Sequence, residues 1–221
     1  METDNQIRII LIDDQAIVRA ALKALLNGVA RFDVVGDEGD ARRGIDLVAE
    51  LRPDVVILDI TMVGLSGLDA VGPIKRASPQ TRVLMASQHE GMKFVQQALA
   101  AGADGYLSKD SDPAELSVAI EAIVRGDSYL SPKVANGFMA RAARGEAALA
   151  GDASALTALT PREREVFQLL AVGKANKEVA AVLDLSLGTV KKHRENLQRK
   201  LDCHSAAEIA RLAIREGLLE I

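Results

Sequence analysis

A single cysteine, Cys203, stands among 221 residues, so no internal disulfide can form and the chain suits a reducing cytoplasm. That thiol reads as a small buried apolar side chain. No run of about 18 apolar residues occurs, which argues against a transmembrane helix. The opening METDNQ is polar and leads straight into a strand, so no signal-peptide pattern is expected. Glycine-rich phosphate loops are missing too. Neither G-x-G-x-x-G nor G-x-x-x-x-G-K-S/T follows a predicted strand, which excludes an ordinary nucleotide site. No internal repeat is evident.

What is present is ordinary globular composition, 48% hydrophobic and 26% charged, with length for two small domains. The charge is unevenly spread. Residues 1–125 carry 13 Lys and Arg against 19 Asp and Glu, a net of −6. Residues 156–221 carry 11 against 9, a net of +2. Only the C-terminal part is suited to touch nucleic acid.

Residues 1–125 alternate short apolar runs with helical patterns. "IRIILID", "FDVVG", "DVVILD", "RVLMAS" and "DGYLSKD" read as strands. Helices follow over 41–51, about 67–77, 90–101 and 112–125, and the first passes through Val18, Leu22, Leu25 and Leu26. Five strands alternating with five helices predict a five-stranded, parallel, doubly wound sheet of flavodoxin-like α/β type. After Gly126 the rhythm stops. Residues 126–155 are rich in Ala, Gly and Ser and read as a linker with one short helix over 132–144. From Thr160 the pattern is all-helical, with four short helices over 161–171, 175–183, 187–201 and 205–216. Thr160, Pro161 and Glu163 open the first as N-cap, first-position proline and acidic first turn.

In "PDVVILDI" a strand buried on both faces ends in a carboxylate, Asp59. A charge beside a hydrophobic core is costly unless something pairs with it. Ligands of parallel α/β sheets sit at the carboxyl ends of the strands, and there this chain delivers Asp13, Asp14, Asp59, Ser87 and Lys109. One strand-end acid is unremarkable; five groups of compatible chemistry are not. Three crowded carboxylates call for a cation, and a hard divalent ion such as Mg²⁺ fits oxygen ligands. Lysine and hydroxyl complete a set suited to phosphoryl transfer onto a carboxylate nucleophile.

"LIDDQAIVR", "VVILDITMVGLSGLD", "VLMASQHE" and "AGADGYLSKD" resemble the receiver domain of bacterial two-component response regulators, over residues 7–125. The resemblance implies that Asp59 is the phosphoacceptor, loaded by a histidine kinase. It implies that Asp14 binds Mg²⁺ directly, that Asp13 assists, and that the Thr61 backbone carbonyl is a further ligand beside Asp59. Ser87 and Lys109 would contact the phosphoryl group, and Tyr106 would be the switch aromatic. Two positions depart from the pattern: Val63 and Asp110 stand where relatives carry proline.

"NKEVAAVLDL", "SLG" and "TVKKHRENLQRKL" form a helix-turn-helix pattern with a basic second helix. Residues 156–221 resemble the LuxR-type DNA-binding domain, and the whole chain resembles a NarL/FixJ-class regulator. By that resemblance Thr189, Lys191, Lys192 and His193 lie on or near the DNA-facing side, and Asn176 and Lys177 approach phosphates. Arg194 and Lys200 add positive charge to the same helix. His193 is either a phosphate donor or a partly packed ring. Glu195 is the lone acid among these cations. The implied activity is regulation of transcription rather than enzymatic turnover, through homodimers on double-stranded promoter DNA, with RNA polymerase as a further partner. A phosphohydrolase with an aspartate nucleophile is disfavoured, since Thr61 replaces the needed second acid. A receiver that never becomes phosphorylated is disfavoured, since every acid and the lysine are retained.

Overall fold

The computed structural model describes residues 6–89, 91–143, 155–216 and 218. They divide into two compact units, one formed mainly within residues 1–149 and one mainly by residues 150–221. The first unit runs β1 (Ile7–Ile12), α1 (Ala16–Asn27), β2 (Phe32–Glu38), α2 (Ala41–Leu51), β3 (Val55–Leu58) and α3 (Gly67–Ala77). It continues with β4 (Arg82–Ser87), α4 (Met92–Ala101), β5 (Gly105–Ser108), α5 (Pro113–Arg125), β6 (Tyr129–Leu130) and α6 (Pro132–Ala143). The sheet is parallel throughout, in the order β2-β1-β3-β4-β5-β6.

Strand residues alternate between two buried faces, which explains the unbroken apolar runs. Ile9, Leu11, Val55, Ile57, Leu84, Ala86 and Leu107 pack with Leu26 of α1 and with Leu116, Ile120 and Ile123 of α5. Ile10, Ile12, Val56, Leu58, Val83 and Met85 are buried on the other face. There α2 lies so close that a Cβ added at Gly44 would sit 2.6 Å from Ile12 Cδ1.

The ladder runs just past the strands, and this holds the strand-end residues in place. The N–H of Asp13 donates to Glu38 O (3.0 Å), that of Asp59 to Ile12 O (2.9 Å), and that of Lys109 to Ser87 O (2.8 Å). Helix α3 also approaches Asp59 directly. Ser66 caps it, its Oγ accepting from the Asp69 N–H at 3.2 Å. A Cβ on Gly67 would meet the Asp59 carbonyl oxygen at 1.8 Å, a collision that only backbone movement relieves. Gly67→Ala is therefore expected to destabilise this unit by about 1–3 kcal/mol in a urea melt. An unchanged midpoint would show the contact to be slack.

Residues 126–143 differ from the sequence expectation. The predicted helix is there, but it and a sixth strand belong to the first unit instead of standing between units. Tyr129 N–H donates to Asp104 O (3.3 Å) and Ser131 N–H to Tyr106 O (3.0 Å), which adds β6 to the edge of β5. Val134 of α6 is buried, and α6 packs on α4 and β5. Of the rest of the expected linker, 144–154 lie outside the described residues and Ala155 opens the 3-10 turn of the second unit.

The second unit is helical: a 3-10 turn (Ala155–Ala158), α7 (Pro161–Ala171), α8 (Asn176–Val182), α9 (Leu187–Leu201) and α10 (Ala206–Arg215). Thr160 and Glu163 form a capping box at α7. Asp184, at φ 51°, turns the chain between α8 and α9. Phe167, Leu169, Val179, Val190, Leu197 and Leu212 build the core. Cys203 is buried among them, and burial pushes its thiol pKa up. No helix among the described residues is long and apolar enough to cross a membrane.

Candidate functional site

The carboxyl edge of the sheet gathers the predicted groups. Oxygens of Asp13, Asp14 and Asp59 lie within 4.8 Å of one another, with Asp13 and Asp59 buried and Asp14 half-buried. Lys109 Nζ sits 2.7 Å from Asp13 Oδ2 and 3.1 Å from Asp59 Oδ1. Asp13 Oδ1 accepts from the Gln15 N–H at 2.8 Å, and Asp59 Oδ1 from the Ile60 N–H at 2.9 Å. Asp59 Oδ2 is buried and has no hydrogen-bond partner.

The electrostatics follow from that geometry. Burial pushes the Asp59 carboxyl from an ordinary 3.8 up to about 6; Lys109 opposes the rise, and Asp13 and Asp14 add to it. An orphaned anionic oxygen beside an ammonium is a nucleophile with a charge-neutralising neighbour.

Around this pocket His89 ties several strands together. Its N–H donates to Ser87 Oγ at 3.1 Å, and its carbonyl accepts from the Tyr106 hydroxyl. Its Nε2 pairs with Thr61 Oγ1 at 2.8 Å, and its ring stacks on Phe94 with centroids 4.6 Å apart. Ser87 and Tyr106 are fully buried, so the Tyr106 ring is turned inward.

On α9, Val190 and Leu197 face the core, and Gly188, Lys191, Lys192, Glu195 and Arg199 line the exposed side. Lys177 is exposed at the start of α8. Other predicted DNA contacts are engaged within the domain. The Thr189 N–H donates to Ser186 Oγ at 3.0 Å, as part of the α9 cap. Arg194 Nη1 donates to Asn176 Oδ1 at 3.1 Å, joining α9 to the start of α8. His193 is half-buried. Lys200 is exposed as well, but its charge is engaged: its Nζ lies 2.6 Å from Oε2 of Glu163, a carboxylate whose side chain is 5% exposed. Burial alone would raise the Glu163 pKa; Lys200 and Thr160 reverse that and hold it below the usual range. The sequence marks Glu163 only as an acidic first-turn residue. Its second role depends on a partner 37 residues away that no local pattern reveals.

Comparison with known proteins agrees with both halves. Residues 9–121 match the family model described as "Response regulator receiver domain", and residues 157–213 match "Bacterial regulatory proteins, luxR family". The chain is 35% identical to the transcriptional regulatory protein MctR of Rhizobium johnstonii, over 97% of this chain and 96% of that one. It is 33% identical to the nitrate/nitrite response regulator NarL of Escherichia coli, covering 95% and 96%. Among solved structures, a LuxR-family response regulator from an Aurantimonas species superposes with a TM-score of 0.61 at 37% identity. That match covers 62% of this chain and 99% of that one. With its acidic strand-end pocket and its helix-turn-helix unit, the chain belongs to the NarL/FixJ class of two-component response regulators, transcription regulators that join a receiver domain to a LuxR-type DNA-binding domain.

Proposed function

We propose that Asp59 accepts a phosphoryl group from a histidine kinase, and that the acyl phosphate promotes homodimerisation and promoter binding in the cytoplasm. The observation that carries this reading is the buried, unpartnered Oδ2 of Asp59, held beside Lys109 and two further carboxylates. That oxygen attacks phosphorus; the P–N bond of the phosphohistidine breaks, and its electron pair leaves with the imidazole. Lys109 stays within reach to offset charge on the transferring group. Three clustered carboxylates, two of them buried, fit a hard divalent cation held by Asp14 and Asp59, with Asp13 assisting and the Thr61 carbonyl as a further ligand. When bound, Mg²⁺ supplies a Lewis acid for the phosphoryl oxygens. The test is incubation with acetyl phosphate, with Mg²⁺ or with chelator, followed by intact mass. One hydroxylamine-labile phosphoryl group, formed only with Mg²⁺, is expected. No incorporation under either condition would overturn the reading.

The new group adds about −1.5 to −2 charges beside Ser87 and Lys109. Drawing the Ser87 hydroxyl toward it loosens the Ser87–His89–Tyr106 linkage and moves the β4–α4 loop. In the DNA-binding unit, Lys177, Lys191 and Lys192 are free to meet DNA, with RNA polymerase as a further partner of the promoter complex. Lys200 is better read as structural, because its charge is committed to Glu163.

Thr61 and His89 stand two residues beyond Asp59 and Ser87 and hold one another at 2.8 Å. Neither is a carboxylate or amide suited to orient an attacking water. The phosphorylated protein is therefore expected to persist for minutes or longer, and Thr61→Asn, which adds an amide, to shorten that life. Decay of the wild-type label within seconds would contradict this.

A further inference from the structure

Arg19 has a task that neither the sequence patterns nor the pocket chemistry assigns. It lies on the first turns of α1, and its side chain is 19% exposed. Its Nη1 donates to the backbone carbonyl of Asp13 at 2.5 Å. Its Nε lies 3.5 Å from Asp37 Oδ2, at the end of β2. Lys23, one turn further along α1, holds the other oxygen of Asp37 at 2.7 Å. Gly39 leaves the guanidinium its space, since a Cβ there would come within 3.0 Å of Nη1.

The location of that carbonyl is what matters. In an extended strand, successive side chains point to opposite faces, so Asp13 and Asp14 cannot both serve one site unless the backbone turns between them. The Asp13 N–H is still in the ladder, on Glu38 O. Its carbonyl has left the ladder and points at Arg19 instead. The guanidinium therefore holds the peptide that joins the two acids at the angle that lets both face Asp59.

We infer that Arg19 is a positioning residue for the Asp13–Asp14 carboxylate pair, anchored by Asp37 and setting the affinity of the pocket for a divalent cation. Its own positive charge opposes a second cation nearby, so its benefit is geometric. The inference rests on the reading of this pocket as a Mg²⁺ site. Groups that orient metal ligands typically account for about 10- to 100-fold in affinity.

The experiment is calorimetric titration of the full-length protein with Mg²⁺, beside thermal melts in metal-free buffer. Arg19→Gln is expected to weaken Mg²⁺ binding about tenfold or more. Arg19→Lys, which keeps charge and one donor, should lose less. Asp37→Asn unseats Arg19 without touching the pocket and should weaken binding in the same direction. In acetyl phosphate labelling, the half-saturating Mg²⁺ concentration should rise while the plateau at saturating Mg²⁺ is retained. If Arg19→Gln and Asp37→Asn melt earlier yet bind Mg²⁺ like wild type, Arg19 is only a structural clamp and the inference fails. If the wild-type protein binds no Mg²⁺, the cation reading itself fails and takes the inference with it.

Discussion

Asp59→Asn is expected to abolish phosphoryl incorporation and, in metal-free buffer, to make the receiver unit more stable than wild type. The loss of labelling follows from removing Asp59 Oδ2, a buried carboxylate oxygen left without a hydrogen-bond partner. The gain in stability follows from burial, which raises the Asp59 pKa from 3.8 to about 6. The folded state then holds this proton more tightly than the unfolded state does. Its contribution is fully present below about pH 4 and is lost as the pH rises through about 6. At neutral pH the wild type carries a charge its surroundings disfavour, at a cost on the order of 3 kcal/mol. Asparagine mimics the neutral carboxyl and removes that cost. Melts of both proteins from about pH 4 to pH 8 should diverge as the pH rises. Curves that stay parallel would rule out burial of the charge as the cause.

The second large effect is expected on DNA. Lys191 and Lys192 are successive exposed residues about 100° apart on α9, so only one of them can point squarely into a groove. Glu195 lies three residues beyond Lys192, on the same exposed line. Lys192→Ala is expected to relax sequence preference by roughly 1–3 kcal/mol at one base pair of each half-site. Lys191→Ala should instead weaken all sequences alike and lower the salt slope by about one. Lys200→Ala should do neither: it takes the cation from a buried carboxylate that keeps only the Thr160 N–H, costing about 1–3 kcal/mol of domain stability. Footprints should show two half-sites about one helical turn apart. Wild-type affinity and salt slope in both Lys191→Ala and Lys192→Ala would mean that α9 is not the reading helix. A lowered salt slope with unchanged melting in Lys200→Ala would return that residue to the DNA face.

The strands were legible because a parallel sheet covered on both faces leaves unbroken apolar runs, and β1 and β3 end within a residue of expectation. The pocket was legible for a related reason. Topology sends the carboxyl end of every strand to one edge, which groups Asp13, Asp14, Asp59, Ser87 and Lys109 from strand order alone. What the sequence hid depends on pairing at long range. Tyr129–Leu130 is too short to show any period, and it becomes a strand only through its hydrogen bonds with β5. Lys200 sits in a run of cations that look alike until Glu163 claims one of them. Arg19 is part of a recognisable stretch, yet its target is a main-chain carbonyl, which has no signature in side-chain chemistry.

The short sixth strand has a practical consequence for anyone who cuts this chain. A fragment ending at Arg125 would lose Tyr129 and Ser131, whose N–H groups now occupy the carbonyls of Asp104 and Tyr106. A bare strand edge is a template for pairing with other chains. Such a fragment would self-associate through an edge that is closed in the intact protein, and its aggregation would imitate regulated dimerisation. A fragment carried through Ala143 keeps the edge shut, so association measured on it reports the signal and not the scissors.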